Sequence, residues 1–131
     1  MFLGRYKTFF SGKNRIILPR KFRLELGQEI VFYLVSGVDG EIWGFRNAKW
    51  QLEVQRRLNT PITSAEGRKE RRLFFGRAEE CELDNQGRFI ISQNLVTYAG
   101  LREEILLIGC GDHFEIWDAQ PYRDWETENL S

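Results

Sequence analysis

Cysteine and histidine are nearly absent: Cys81, Cys110 and His113 are the whole set in 131 residues. A structural zinc site usually takes four Cys or His ligands, and two cysteines build no disulfide framework. No metal and no other cofactor is therefore expected, and the thiols are expected free in a reduced, cytoplasmic setting. No apolar run approaches the about 18 residues of a membrane span. Arg5 and Lys7 interrupt the apolar N-terminal stretch, against a secretory signal. Net charge is missing too, with 19 basic and 19 acidic side chains. That excludes a polycationic nucleic-acid binder as a description of the whole molecule. There is neither a Walker A loop nor a dinucleotide fingerprint, and no small-molecule substrate is expected.

What is present is enough for a core, with 42% hydrophobic and 14% aromatic residues. The charge is unevenly spread. Residues 1–24 carry Arg5, Lys7, Lys13, Arg15, Arg20, Lys21 and Arg23 and no acid, whereas residues 101–131 hold eight acids against Arg102 and Arg123. Either these are two solvated faces, or the basic one meets an anionic partner.

The chain also repeats itself. A shift of 73 residues lays Ser11-Gly12-Lys13-Asn14-Arg15 on Asp84-Asn85-Gln86-Gly87-Arg88, and Ile16-Ile17-Leu18 on Phe89-Ile90-Ile91. With small slips, Glu41-Ile42-Trp43 meets Glu115-Ile116-Trp117 and Trp50 meets Trp125. Two units are expected, residues 1–50 and 77–131, around a helical insert at 51–76. Each unit reads as a polar turn, a short strand, a short helix closed by glycine (Gly27, Gly100), a buried strand, a Gly-rich turn and a second strand. Pro19 opens the first helix and Ser92 caps its counterpart. In the insert, Asn47 is expected to cap a helix carrying Trp50, Val54 and Leu58, and Thr63 with Glu66 resembles a capping box for the next. Arg68, Lys69, Arg71 and Arg72 on that second helix read as a solvated face. Neither unit is large enough for its own core, so the two should share one.

The two polar turns carry the chemistry. Asp84 can accept backbone N–H groups of its own turn, and Gly87 tolerates positive φ. As structure alone this is a hairpin turn with Arg88 paired to Asp84. As a site, the turn presents a guanidinium fork that can bond guanine O6 and N7 or clamp a phosphate. The hydrolase alternative rests on Gly109-Cys110-Gly111-Asp112-His113. Cys110 and His113 are only three residues apart, a spacing at which a nucleophile and its base seldom pair, so packing is the expectation. The four tryptophans recur in both units and read as core or subunit packing.

At these residues the sequence resembles the bacterial MraZ family of transcriptional regulators of the division and cell-wall gene cluster. The resemblance rests on Met1-Phe2 with Gly4, both turns, Arg71-Arg72-Leu73-Phe74, Ala78-Glu79-Glu80-Cys81, Tyr98-Ala99-Gly100-Leu101 and Glu115-Ile116-Trp117-Asp118. The family pattern Asp-x-x-x-Arg is met in full by Asp84 and Arg88. In the first copy Ser11 replaces Asp and Asn14 replaces Gly. The turn is expected to persist there, with the Ser11 hydroxyl as its cap and Arg15 freer than its counterpart. Gln93-Asn94 stand where the family is more basic, so the second copy is expected to contribute less to phosphate binding.

The resemblance implies an α+β, mainly β architecture. Two tandem swapped-hairpin AbrB-like units would share a small β-barrel core with flanking helices. It further implies a closed ring of identical subunits on repeated operator boxes, cytoplasmic and nucleoid-associated. Basic and acidic termini could then meet head to tail. The expected function is sequence-specific regulation of transcription on double-stranded DNA, without catalysis. Arg15 and Arg88 are expected to contact bases, Lys13 a phosphate, and Arg5, Lys7 and Arg20 further phosphates, with Ser11, Asn14, Asp84 and Gly87 shaping the turns. The alternative is a non-enzymatic oligomeric scaffold whose basic patch serves another subunit.

Overall fold

The computed structural model describes residues 1–130. The chain runs β1 (Arg5–Phe9), β2 (Arg15–Ile17), α1 (Arg20–Leu26), β3 (Val31–Ser36), β4 (Ile42–Arg46), α2 (Asn47–Leu58), α3 (Ala65–Phe75), β5 (Glu79–Glu82), β6 (Arg88–Ile90), α4 (Gln93–Ala99), β7 (Glu104–Gly109), β8 (Phe114–Asp118) and α5 (Ala119–Leu130). The order β-β-α-β-β-α occurs twice, with α3 between the copies.

Local chemistry accounts for the short helices. Pro19 holds the N-cap position of α1 at φ −55°, and the helix buries Phe22 and Leu26 before Gly27 turns the chain at φ 68°. In α4 the Ser92 Oγ accepts the Leu95 N–H at 3.2 Å, and Gly100 closes the helix in the left-handed region. The insert departs from expectation at both caps. Strand β4 runs straight into α2, so Arg46, still extended, occupies the cap position. Asn47 is already helical and accepts from Gln51 instead. Along α2, Trp50 is buried, but Leu58 at the far end of the same stripe is exposed. Helix α3 is capped by Ser64, not Thr63: its Oγ accepts the Gly67 N–H at 2.8 Å. The boundary at residue 50 falls inside α2.

Six strands form one antiparallel sheet in the order β1-β7-β8-β4-β3-β5, and β2 pairs with β6 in a separate ribbon. The halves exchange strands. First-half β1 pairs with second-half β7, and second-half β5 pairs with first-half β3. Strands β4 and β8 join the halves at the sheet's middle. The inner face carries the shared core, in which Phe2, Ile16, Phe22 and Phe32 of the first half meet Phe89, Leu95, Phe114 and Ile116 of the second. Phe22 and Phe114 lie 5.4 Å apart, and Phe32 meets Phe89 edge-on at 4.9 Å. Each such ring is worth about 1.5–3 kcal/mol when fully buried, and separating the halves would expose several of them at once. On the outer face α2 and α3 cover Val35 and Phe45, with Trp50 stacked between Tyr33 and Phe74. Helix α5 covers Leu106 and Trp117.

The architecture is α+β, but the expected small barrel does not close. Strands β1 and β5 end the sheet without pairing to each other. The strands that could bridge them, β2 and β6, are three residues long and spend their backbone groups on one another. Ile16 and Phe89 fill the open side instead, as packed side chains.

Candidate nucleic-acid interface

The ribbon is built around Ile16 opposite Phe89, with Arg15 opposite Ile90 and Ile17 opposite Arg88. Strand alternation sends Ile16 and Phe89 inward and the other four residues to the outer face. Arg15 and Arg88 are therefore diagonal neighbours on one surface, about 7–8 Å apart at Cα in such a register. Between them Ile17 and Ile90 are exposed, the latter to 64%. Two further backbone bonds extend the pairing, Ile91 N–H to the Asn14 carbonyl and Leu18 N–H to that of Gly87, both 2.8 Å.

Each arginine is held by the turn before it. In the second turn, Asp84 Oδ1 accepts the N–H groups of Gln86 (2.8 Å) and Arg88 (2.9 Å), while Oδ2 accepts Arg88 Nε at 2.9 Å. The Arg88 N–H, with the other donors, holds the Asp84 carboxyl below the usual carboxylate range. In the first turn the Ser11 hydroxyl does not take that role. Arg15 Nε donates to the Ser11 backbone carbonyl at 2.8 Å. A serine hydroxyl is one bond shorter than a carboxylate, and Gly12, at φ 86°, lets the Ser11–Gly12 peptide turn its oxygen toward the guanidinium. Arg15 is thus tethered rather than freer. Asn14 (φ 58°) and Gly87 (φ 76°) occupy the same left-handed position. In both arginines Nε is the anchored nitrogen, and the terminal nitrogens make no hydrogen bond among the described residues.

Each turn also leans on the helix that follows the other turn. Asn14 Nδ2 donates to Gln93 Oε1 at 3.2 Å, and Arg23 Nη1 to the Gln86 carbonyl at 3.3 Å. Arg23 was not among the residues expected from sequence. Its signal lay in the repeat, since the shift of 73 sets it on buried Val96, where a charged side chain needs a reason. Lys13, Arg20 and Lys21 are exposed beside the first turn and α1. Glu80, Glu82 and Asp84 share the depression between Arg15 and Arg88, so attraction for an anion rests on that basic rim.

The other basic residues are not brought to this place. Arg5 and Lys7 point to the outer face of β1, where Arg5 bonds Glu126 at 2.8 Å and lies 5.5 Å from the Tyr122 ring centre. Lys7 pairs with Glu104, which also bonds Arg123. The basic N-terminal and acidic C-terminal segments thus meet within one chain. Arg71 and Arg68 bond carbonyls of the loop between α2 and α3, at Thr60 and Ile62.

At the β7–β8 turn the structure differs from expectation. Cys110, His113 and Glu115 offer donor atoms within 4.8 Å of one another. A turn closed by the Cys110 N–H on the His113 carbonyl sets residues three apart side by side. Burial and the neighbouring Glu115 push the Cys110 thiol up to about 12, the wrong direction for a nucleophile. Both cysteines are free thiols, Cys81 buried in the core. Among the described residues no helix is long and apolar enough to cross a membrane.

The chain matches the family described as "MraZ protein, putative antitoxin-like" over residues 1–72 and 74–131. It is 42% identical over 132 residues to the transcriptional regulator MraZ of Caldicellulosiruptor bescii, covering all of this chain and 91% of the relative. The regulator of that name from Limosilactobacillus fermentum is 38% identical over 131 residues, covering all of this chain and 90% of the relative. That of Clostridium acetobutylicum is 36% identical over 130 residues, covering 99% and 90%.

Proposed function

The chain belongs to the MraZ family, and on that premise we propose that it is a DNA-binding transcription regulator that reads bases with Arg15 and Arg88. It is not an enzyme. The observation that carries the reading is the outer face of the β2–β6 ribbon. A two-stranded ribbon fits the major groove of B-DNA. Here it presents two guanidinium groups, each fixed through Nε with its terminal nitrogens free for guanine O6 and N7. Ile17 and Ile90 between them suit contact with thymine methyl groups. Lys13 and Arg20 supply phosphate contacts from the rim. Arg23 positions the second turn. Arg5 and Lys7 are engaged with Glu126 and Glu104 and are the weakest phosphate contacts.

The finer reading is a ring-shaped homo-oligomer of tandem AbrB-like units, nucleoid-associated in the cytoplasm, on repeated promoter boxes of the division and cell-wall cluster. Exposed Phe9, Leu24, Ile30 and Leu73 supply apolar surface for subunit contacts. Fluorescence anisotropy at physiological salt, with the chain's own upstream region against random duplex, tests the function. Preference for the upstream region is expected, and equal affinity for both duplexes overturns it. Lys13→Ala should weaken both duplexes alike and lower the salt slope by about one unit. Light scattering checks assembly: a monomer at micromolar concentration overturns the ring.

A further inference from the structure

The Cys110, His113 and Glu115 cluster lies outside the ribbon and is used by nothing described above. Its donor atoms lie within 4.8 Å of one another, while the His113 ring packs beside Phe45 and Trp43. Phe114 and Ile116 of β8 point inward and are fully buried, so His113 and Glu115 alternate to the outer face. Cys110 joins them from across the turn. Glu115 Oε2 lies 4.0 Å from His113 Nε2.

Asp112 and Trp117 orient two of these donors, and Lys49 holds Asp112 in turn. Asp112 Oδ1 lies 2.8 Å from His113 Nδ1 and engages that nitrogen, which leaves Nε2 directed toward Glu115. Lys49 holds the other Asp112 oxygen at 3.1 Å. Trp117 Nε1 donates to Glu115 Oε1 at 2.9 Å and so leaves Oε2 available. A carboxylate on the far nitrogen of a ligating histidine is the usual outer shell of a metal site.

We propose that Cys110, His113 and Glu115 form a three-ligand site for a thiophilic divalent cation of the zinc type, with a fourth position open to water. Zinc's bond lengths to sulfur, nitrogen and oxygen place tetrahedral ligands roughly 3.3–3.7 Å apart. The donor atoms, within 4.8 Å of one another, have to draw together by roughly 1–1.5 Å to reach it. On binding, the Cys110 S–H bond breaks, its proton passes to solvent, and the sulfur lone pair takes the metal. Glu41, Asp112 and Glu115 all bear electrostatically on that thiol, and the cation's charge compensates them. Counting only cysteine and histidine in the sequence hides the site, because its third ligand is a carboxylate.

The test uses the reduced full chain and cobalt(II) as the probe. One equivalent per chain should produce a near-ultraviolet thiolate-to-cobalt band that zinc then bleaches. Cys110→Ser should abolish the band. His113→Ala and Glu115→Gln should each weaken binding, and Asp112→Asn should keep the band while costing about 10–100-fold in affinity. Zinc should also slow reaction of the Cys110 thiol with an aromatic disulfide reagent. These side chains are at the surface or half-buried, and unchanged oligomer size and melting confirm that each variant is folded. No thiolate band at millimolar cobalt, the same band in Cys110→Ser, or unchanged affinity in both His113→Ala and Glu115→Gln overturns the proposal.

Discussion

The two ribbon turns reach one geometry by different chemistry. At residues 84–88 a carboxylate does the work, gathering two backbone N–H groups and the Arg88 guanidinium. At residues 11–15 no carboxylate is present, and a backbone carbonyl, aimed through a positive-φ glycine, holds Arg15 by the same nitrogen. The ribbon thus constrains where an arginine must sit more tightly than it constrains which group holds it there. What differs is the kind of tether. The second turn's is ionic and titratable, while the first's is neutral and built into the main chain.

The largest effect expected from breaking this pair is on DNA. Arg15→Ala and Arg88→Ala should each cost about 1–3 kcal/mol of operator affinity and relax base preference, measured by anisotropy on operator and random duplexes. Similar losses at the two sites would show that the tethers are equivalent. Unchanged affinity in both would make the turns structural only and send the search to the exposed cations of α3, Lys69 and Arg72.

Backbone substitution should come next. Gly87→Ala should destabilise the fold by about 1–2 kcal/mol in thermal or urea unfolding, since an L-residue is disfavoured at this φ. The added Cβ would also sit 2.0 Å from Arg23 Nη1. Asn14→Gly, at the matching position, should change stability by less than about 1 kcal/mol, since relief at φ 58° is offset by loss of the Asn14–Gln93 hydrogen bond.

Acid should separate the turns without any mutation. The Asp84 pKa is lowered in the folded chain, so its contribution is complete above the ordinary carboxylate value of about 3.9 and fades as pH falls through the lower folded value. Amide signals of Gln86 and Arg88 should move in that window while those of Lys13 and Arg15 stay, followed by NMR titration. Simultaneous movement of both turns would count against the separate tethers.

The smallest effect is expected at Ser11. With its carbonyl as the acceptor, Ser11→Ala should change stability and operator affinity by less than about 0.5 kcal/mol. A larger loss would restore the hydroxyl to the role that the sequence suggested for it.

Much of the fold was legible because its signals are local. Ser92 as a cap, Gly27 and Gly100 as helix ends, and the apolar, β-branched runs Ile30–Val35 and Ile105–Ile108 as buried strands each follow from neighbours within a few residues. The misses came where a neighbour element overrode such a signal. Asn47 lost its cap because β4 runs on to Arg46 without a loop. The candidate site was legible at Arg15 and Arg88 through the repeat, whereas at Arg23 the repeat offered only the mismatch with Val96 and not the partner, which lies 63 residues away.

The sequence by itself determined the element order, its duplication, the two turns and the charge asymmetry, because periodicity, caps and turn residues act over a few positions. Only the tertiary structure decided which strands pair. It exchanged β1 and β5 between the halves, left the barrel open, joined Arg5 to Glu126 across 121 residues and gathered Cys110, His113 and Glu115 on one face. Such contacts are chosen by how two half-cores fill one volume and by which backbone groups remain unpaired once they have. Residue spacing along the chain carries neither quantity.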